Sequence, residues 1–416
     1  MTAREYVSEQ LALILGTPVQ PTEAQVTRFW AALSRAEERD APKDTHGNFP
    51  PDASVFACDG QFERPPLHAE IESWQQAVPS APARWPGGYR FAVCLTHDVD
   101  RIVQLPWRER WRQLATLRHA VTAKQALRWA VAGSLYAAAC ALGRSDLATF
   151  DHWVEEERHF GYHSTFFVLP ERPVAPTFFD HYYRYADPIR WRGTRLTFAE
   201  GARRAQEEGW EIGFHGSYAS ALDREIFRQE KAQLEDMLDA PVVSARQHFL
   251  RFDAERTPQV QAAAGIQADT TLGFSSVIGC RCGLAFPYFW PGEDDLLEVP
   301  LLIQDVGLLR VQGTHLDLAH ETARARSLLQ RIAAVGGVAT LSWHTHPESP
   351  GAHECYHALL EEIAALNGWG CSLGELNAWW RTRRTRLRHN AENGQQTHPS
   401  GASCQNGVYR RAMESG

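Results

Sequence analysis

The sequence predicts an α/β fold on a parallel sheet, open or closed into a barrel, and three observations point there. Short apolar runs recur along most of the chain, amphipathic helical segments separate them, and glycines follow several helices where a left-handed cap is wanted. The runs are FAVCLT (91–96), STFFVL (164–169), WEIGFH (210–215), VVSARQ (242–247), IQADTTLGF (266–274), LLEVPLLI (296–303) and VATLSW (338–343). Between them lie helical segments such as FDHWVEEERHF, TFAEGARRAQEE, REIFRQEKAQLEDML and ETARARSLLQRIAAV, with Gly161, Gly209, Gly265 and Gly336 just beyond helix ends. Apolar strands alternating with helices describe a parallel sheet covered on both faces.

Ahead of this rhythm, residues 1–88 read as a small N-terminal accessory module. A helical stretch, AQVTRFWAALSRAEER, gives way to the polar loop DAPKDTHGNFPPDAS. A short amphipathic helix near PLHAEIESWQQ follows, then the Pro/Gly-rich linker VPSAPARWPGGYR. The barrel is expected over residues 89–380. A Trp- and Arg-rich helical insertion interrupts it at about 101–146. Residues 381–416 lack apolar periodicity and are expected to be a disordered tail. No internal repeat is visible.

The chain has 416 residues and a formal net charge of −8, which offers no footprint for nucleic acid or an anionic membrane as main partner. Its eight cysteines are scattered without paired CxxC clusters, which reads as reduced thiols rather than a zinc knuckle. The N-terminal apolar stretch LALILG follows Glu9 and lacks a basic n-region and a signal-length apolar core, so the expected location is cytoplasmic. The apolar stretch from Trp129 to Gly143 falls short of the ~20 residues a bilayer span needs. It reads as a packed helix, with contact to a membrane surface as the alternative.

The chemistry gathers at strand C-termini. The first run ends in Thr96-His97-Asp98-Val99-Asp100, the third in His215-Gly216-Ser217, and the fourth in Arg246-Gln247-His248. The sixth reaches Asp305, and the seventh delivers His344-Thr345-His346. In α/β barrels the loops after the strands build the active site. A carboxylate and two imidazoles can hold a divalent metal with a position open for water. A second carboxylate can serve as base, and a separate imidazole can protonate a leaving amine. Of Asp98 and Asp100, one can ligate while the other acts as base.

THDVD, STFFVLP, EIGFHGSY, ARQHFLRF and LSWHTHP, in that order, resemble the motifs of the polysaccharide deacetylase (NodB-homology) family, carbohydrate esterase family 4. They are most similar to a subgroup with HDVD in the first motif and RQH in the third. LSRAEER…DTHGNFPPDAS…FERPPLHAEIESW likewise resembles a module that often precedes such domains. The resemblance, over residues 89–380, implies a distorted (β/α)7 barrel that removes N- or O-acetyl groups from glycans or their precursors. It implies Asp98 as catalytic base, Asp100 and His215 as metal ligands, and His344 as general acid, with Arg246 and Asp305 tuning base and acid. The implied metal is zinc, with Co, Ni or Mn as alternatives. One departure stands out: the family's second histidine of the second motif falls on Ala219, and His248 is the candidate third ligand in its place.

Other readings compete. Asp98 and Asp100 could cap a helix or pair with Arg101, and each histidine could be a satisfied core residue. Arg281, in GCRCG, could line a substrate groove or merely hold a loop. His353-Glu354-Cys355-Tyr356-His357, with Glu375 beyond, spells a zinc-protease HExxH, but Ser349-Pro350-Gly351 place it in a first helical turn. His344-Thr345-His346 resembles the HxH of an amidohydrolase acting on non-sugar C–N bonds, though on the last strand rather than the first. A degenerate barrel that only binds glycan through its aromatics is the non-enzymatic alternative.

Overall fold

The computed structural model describes residues 1–57, 62–77, 84–102, 150–177, 179–180, 183–309, 317–346 and 351–396. From residue 103 onward the expected helical insertion lies outside the described residues.

Twelve strands are described: β1 (Phe91–Val99), β2 (Thr165–Val168), β3 (Pro188–Trp191), β4 (Thr194–Thr197), β5 (Glu211–Gly216), β6 (Ser244–Gln247), β7 (Ala268–Asp269), β8 (Tyr288–Phe289), β9 (Leu297–Glu298), β10 (Ile303–Gln304), β11 (Val338–His344) and β12 (Gly368–Cys371). Ten form one sheet in the order β10-β11-β1-β2-β5-β6-β7-β9-β8, with β12 also beside β1, and β3–β4 make a separate hairpin. Within the large sheet every pairing is parallel except β8–β9.

The α/β class is as expected; the strand inventory differs in four places, of which the β3–β4 hairpin is one. Pro300 has no N–H to give a ladder, and the sixth apolar run becomes β9 and β10. That segment pairs with β7 at its start and with β11 at its end, joining two distant parts of the sheet through Leu301 N–H to Leu272 O (3.0 Å) and Leu302 N–H to Thr340 O (3.2 Å). β8 adds an antiparallel edge. β12, GWGC, has too few apolar residues to show as a run, yet it pairs with Phe91–Cys94 while β2 pairs with Thr96–Val99 further along β1.

Helices cover the sheet: α1 (Ala3–Leu15), α2 (Glu23–Leu33), α3 (His68–Ala77), α4 (Asp151–Phe160), α5 (Phe198–Glu207), α6 (Arg224–Leu238), α7 (Thr257–Ala263), α8 (Asp305–Leu308), α9 (Leu318–Val335), α10 (Ala352–Ala365) and α11 (Leu373–Gln396). Capping boxes start α1 (Thr2 with Glu5), α2 (Thr22 with Gln25) and α5 (Thr197 with Glu200). Among the described residues no helix is long and apolar enough to cross a membrane.

Residues 1–88 share a hydrophobic core with the sheet, from Val7, Leu11 and Phe29 to Leu284, Phe286 and Ile332. Polar bolts reinforce the seam. Tyr6 Oη donates to Phe289 O (2.7 Å), and the Ala285 N–H donates to His68 Nε2 (3.0 Å). Buried Arg281 grips Glu38 through Nε (2.9 Å) and Nη2 (2.6 Å), while Arg35 bonds the same carboxylate at 2.7 Å. Arg281 therefore ties the N-terminal segment to the sheet rather than lining a groove.

The expectation of disorder from residue 381 is corrected by α11, which continues to Gln396. Its first turns bury Leu373, Leu376 and Trp380, and beyond them arginines anchor it: Arg383 Nε donates to Leu13 O (2.6 Å), and Arg384 and Arg388 pair with Glu9. Apolar periodicity cannot register such packing. Residues 397–416 lie outside the described residues.

Candidate metal centre

Side chains alternate along a strand, so Thr96 and Asp98 share one face of β1 while His97 takes the other. Parallel register sets Asp98 opposite His344 of β11, and His215 of β5 opposite Arg246 of β6. Followed through Phe167 and Gly213, strand pairing places His215 and Arg246 two residues beyond the level of Asp98 and His344, toward the strand C-termini where Asp100 lies.

Arg246 is fully buried and answers all its neighbours. Nη1 donates to Asp98 Oδ1 (2.8 Å), Thr96 Oγ1 (2.8 Å) and Ser342 Oγ (2.9 Å), and Nε donates to Thr270 O (3.1 Å). Its guanidinium carbon lies 4.7 Å from the centre of the Phe167 ring. Burial works against ionising Asp98, yet Arg246, helped by His215 and His344, outweighs it and holds the carboxyl below its usual range. Removing either partner of so buried a pair costs about 3–5 kcal/mol.

Asp100 lies just past β1. Its Oδ1 is buried and accepts no well-aligned hydrogen bond, while His215 Nε2 stands 3.3 Å away and His248 Nδ1 3.5 Å away. One ligand atom from each of Asp100, His215 and His248 lies within 4.8 Å of the others. Both imidazoles are oriented from behind: His215 Nδ1 faces Arg246 O (2.9 Å) and His248 Nε2 faces Phe179 O (3.0 Å). A carbonyl only accepts, so those nitrogens carry the protons, and the lone pairs of neutral rings point at Asp100. His215 Nε2 and His248 Nδ1 are 3.1 Å apart and converge on a carboxylate oxygen. Three acceptors facing one another call for a cation, and one carboxylate with two imidazoles suits a divalent ion such as zinc.

His344 completes the group. Its Nδ1 meets Asp305 Oδ1 at 2.7 Å, its backbone N–H donates to Asp305 Oδ2 (3.1 Å), and its Nε2 lies 3.6 Å from Asp100 Oδ2. Burial opposes a charge on this ring, but Asp305, with Asp100 and Asp98 behind it, pushes its pKa up to about 10. The ring remains about one-fifth exposed.

The remaining selected residues fall elsewhere. His97 turns to the opposite face, where its ring bonds Trp343 O (3.0 Å) and Glu157 Oε1 (2.7 Å). His346 Nδ1 binds Arg101 O (2.8 Å) and steadies the loop after β1. In the HExxH segment His353 stacks on Trp153 with centroids 4.6 Å apart, and His357 pairs with Glu156. Ala219 supplies no donor, and His248 occupies the third position in the cluster.

Sequence reasoning overlooked Thr96 and Ser342, which share Arg246. Each sits two positions before a selected residue, so the two-residue period of a strand could have found them. It also overlooked Glu157, whose buried carboxylate accepts from Trp210 Nε1 (3.0 Å) and Tyr356 Oη (2.8 Å) as well as contacting His97. No local signal marks that network.

No protein-family model matches this chain, and no curated protein matches it either. Among solved structures it is similar to a Mycobacterium smegmatis protein assigned to the polysaccharide deacetylases, at 20% identity over 79% of this chain and 98% of that one, with a TM-score of 0.46. It is also similar to Puue allantoinase, at 13% identity over 73% and 95% of the two chains, with a TM-score of 0.45. The peptidoglycan deacetylase PdaC from Bacillus subtilis overlaps at 11% identity over 74% and 98%, with a TM-score of 0.34. All three overlaps are loose. What the site can do follows from its own residues.

Proposed function

We propose that this protein is a metal-dependent hydrolase that removes acetyl groups, N-linked in the first instance, from a glycan or glycan precursor. The observation that carries this reading is one cluster holding three kinds of group: the Asp100–His215–His248 donor set, a carboxylate locked by a buried arginine, and a carboxylate-backed imidazole. The ordered motifs around these residues supply the carbohydrate part of the reading.

A divalent ion held by Asp100, His215 and His248 supplies Lewis acidity when bound, which favours attack of water on an acyl carbonyl. Asp98 is ionised at neutral pH and Arg246 fixes its orientation, so it can take the proton that water loses on attack. His344 is protonated at neutral pH and reachable from solvent, so it can give a proton to the departing amine nitrogen. Water and amide thereby become amine and acetate, with one proton taken and one given.

The deciding experiment measures metal content and acetate release together. Purified protein is expected to hold about one zinc or other divalent ion per chain and to release acetate from N-acetylated amino-sugar oligomers. Asp98→Asn should retain the metal while losing activity by about 10²–10⁴-fold. Substantial residual turnover would remove Asp98 as base, and metal-free protein with glycan affinity would favour a binding protein instead.

A further inference from the structure

A ring of contacts outside the donor set converges on His248. Phe249 and Leu250, the two residues after it, both have left-handed backbones, with φ of 59° and 51°. Neither is glycine, so this corner needs outside support. The support comes from residues 44–48, roughly two hundred positions earlier in the chain. Asn48 is buried, its Nδ2 donates to Phe249 O (2.8 Å), and its Oδ1 accepts from the Phe252 N–H (3.0 Å). One amide thus brackets the strained turn from both sides.

The 44–48 loop is itself preformed. Asp44 Oδ1 accepts from the His46 and Asn48 N–H groups (2.8 and 2.9 Å), and the Asp44 N–H returns to Asn48 O (2.8 Å). The loop also reaches the second support of His248. The His46 ring stacks on Phe249 at 4.9 Å and meets Phe179 edge-on at 5.3 Å, and it is the Phe179 carbonyl that fixes the His248 tautomer. Tyr218 Oη donates to His46 O (2.9 Å), closing the ring against the loop that follows His215.

We propose that Asn48 is a positioning residue for the metal centre: the N-terminal segment, through Asn48 and His46, aims His248 at the ion. The inference rests on the metal-binding reading above. It gives residues 44–48 a task in ligand geometry, separate from the core packing of the same segment.

The test uses full-length protein and zinc alone, competed against a chromophoric chelator, with cobalt absorption as a second readout. Asn48→Ala should weaken zinc binding by about 10–100-fold, as loss of a ligand's outer support commonly does, and change the cobalt spectrum. Asn48→Asp keeps the acceptor for Phe252 N–H but loses the donor to Phe249 O. It should fall between wild type and Asn48→Ala, and it serves should the alanine variant not fold. If Asn48 acts through His248, adding Asn48→Ala to His248→Ala should weaken zinc no further. His68→Gln, which loosens the same N-terminal segment away from the centre, should bind zinc like wild type. Unimpaired zinc binding by Asn48→Ala, or losses that multiply in the double variant, would overturn this inference alone. Wild-type protein that takes up no zinc would overturn it together with the functional reading.

Discussion

At the scale of single residues, His344 and Asp305 give the most readable chemistry. The high pKa of His344 is maintained chiefly by Asp305 against burial, so Asp305→Asn should lower it. A general acid works only while protonated. The alkaline limb of the pH–kcat profile should therefore move to lower pH in Asp305→Asn, with zinc content unchanged; an unmoved limb would separate His344 from the proton delivered to the leaving group. His248→Ala should weaken zinc binding by at least tenfold by chelator competition, since it leaves Asp100 and His215 as the only protein donors of the described cluster. These residues were legible in the sequence because each follows an apolar strand and each is of a ligand or acid–base type. Asn48 was not. An asparagine in a polar loop is ordinary, and only the tertiary contact with Phe249 and Phe252 distinguishes it.

At the scale of elements, strands that coincide with apolar runs were legible, although the fifth and sixth runs broke into two-residue pieces, and β3, β4, β8 and β12 were not. β1, β5 and β11 carry their own signal, whereas β8 is two residues long and takes its form from its antiparallel neighbour β9. The seam between α3 and the sheet has its own pH dependence. Burial lowers the pKa of His68 to about 3 from an ordinary 6.5, so the unfolded chain binds a proton between those values and the folded chain does not. Stability is full above about pH 6.5 and falls as pH drops toward 3, by up to about 1.4 kcal/mol per pH unit from this group. In His68→Gln, urea unfolding midpoints at pH 7 and pH 5 should lie closer together than in wild type; equal spacing would refute the assignment. The Arg281–Glu38 pair gives a larger effect. Arg281→Met leaves Glu38 with one of its two arginines in a dry seam and should cost about 3–5 kcal/mol by denaturant unfolding.

At the scale of the whole molecule, residues 1–88 share core and salt bridges with the sheet, so a chain beginning at residue 89 should expose the surface that α1–α3 cover. Such a truncation is expected to yield little soluble protein and no cooperative thermal transition by circular dichroism, and a cleanly folding truncation would establish the two parts as independent. The same seam governs the order in which the chain can become stable. Tyr6 bonds a carbonyl 283 positions ahead, and Glu38 meets the second of its arginines 243 positions ahead. At synthesis rates of about 5–20 residues per second, the N-terminal helices leave the ribosome roughly ten to fifty seconds before those partners exist. Throughout that interval their apolar faces must be shielded by something other than this protein, which makes the nascent chain, more than the finished fold, the form most dependent on chaperones.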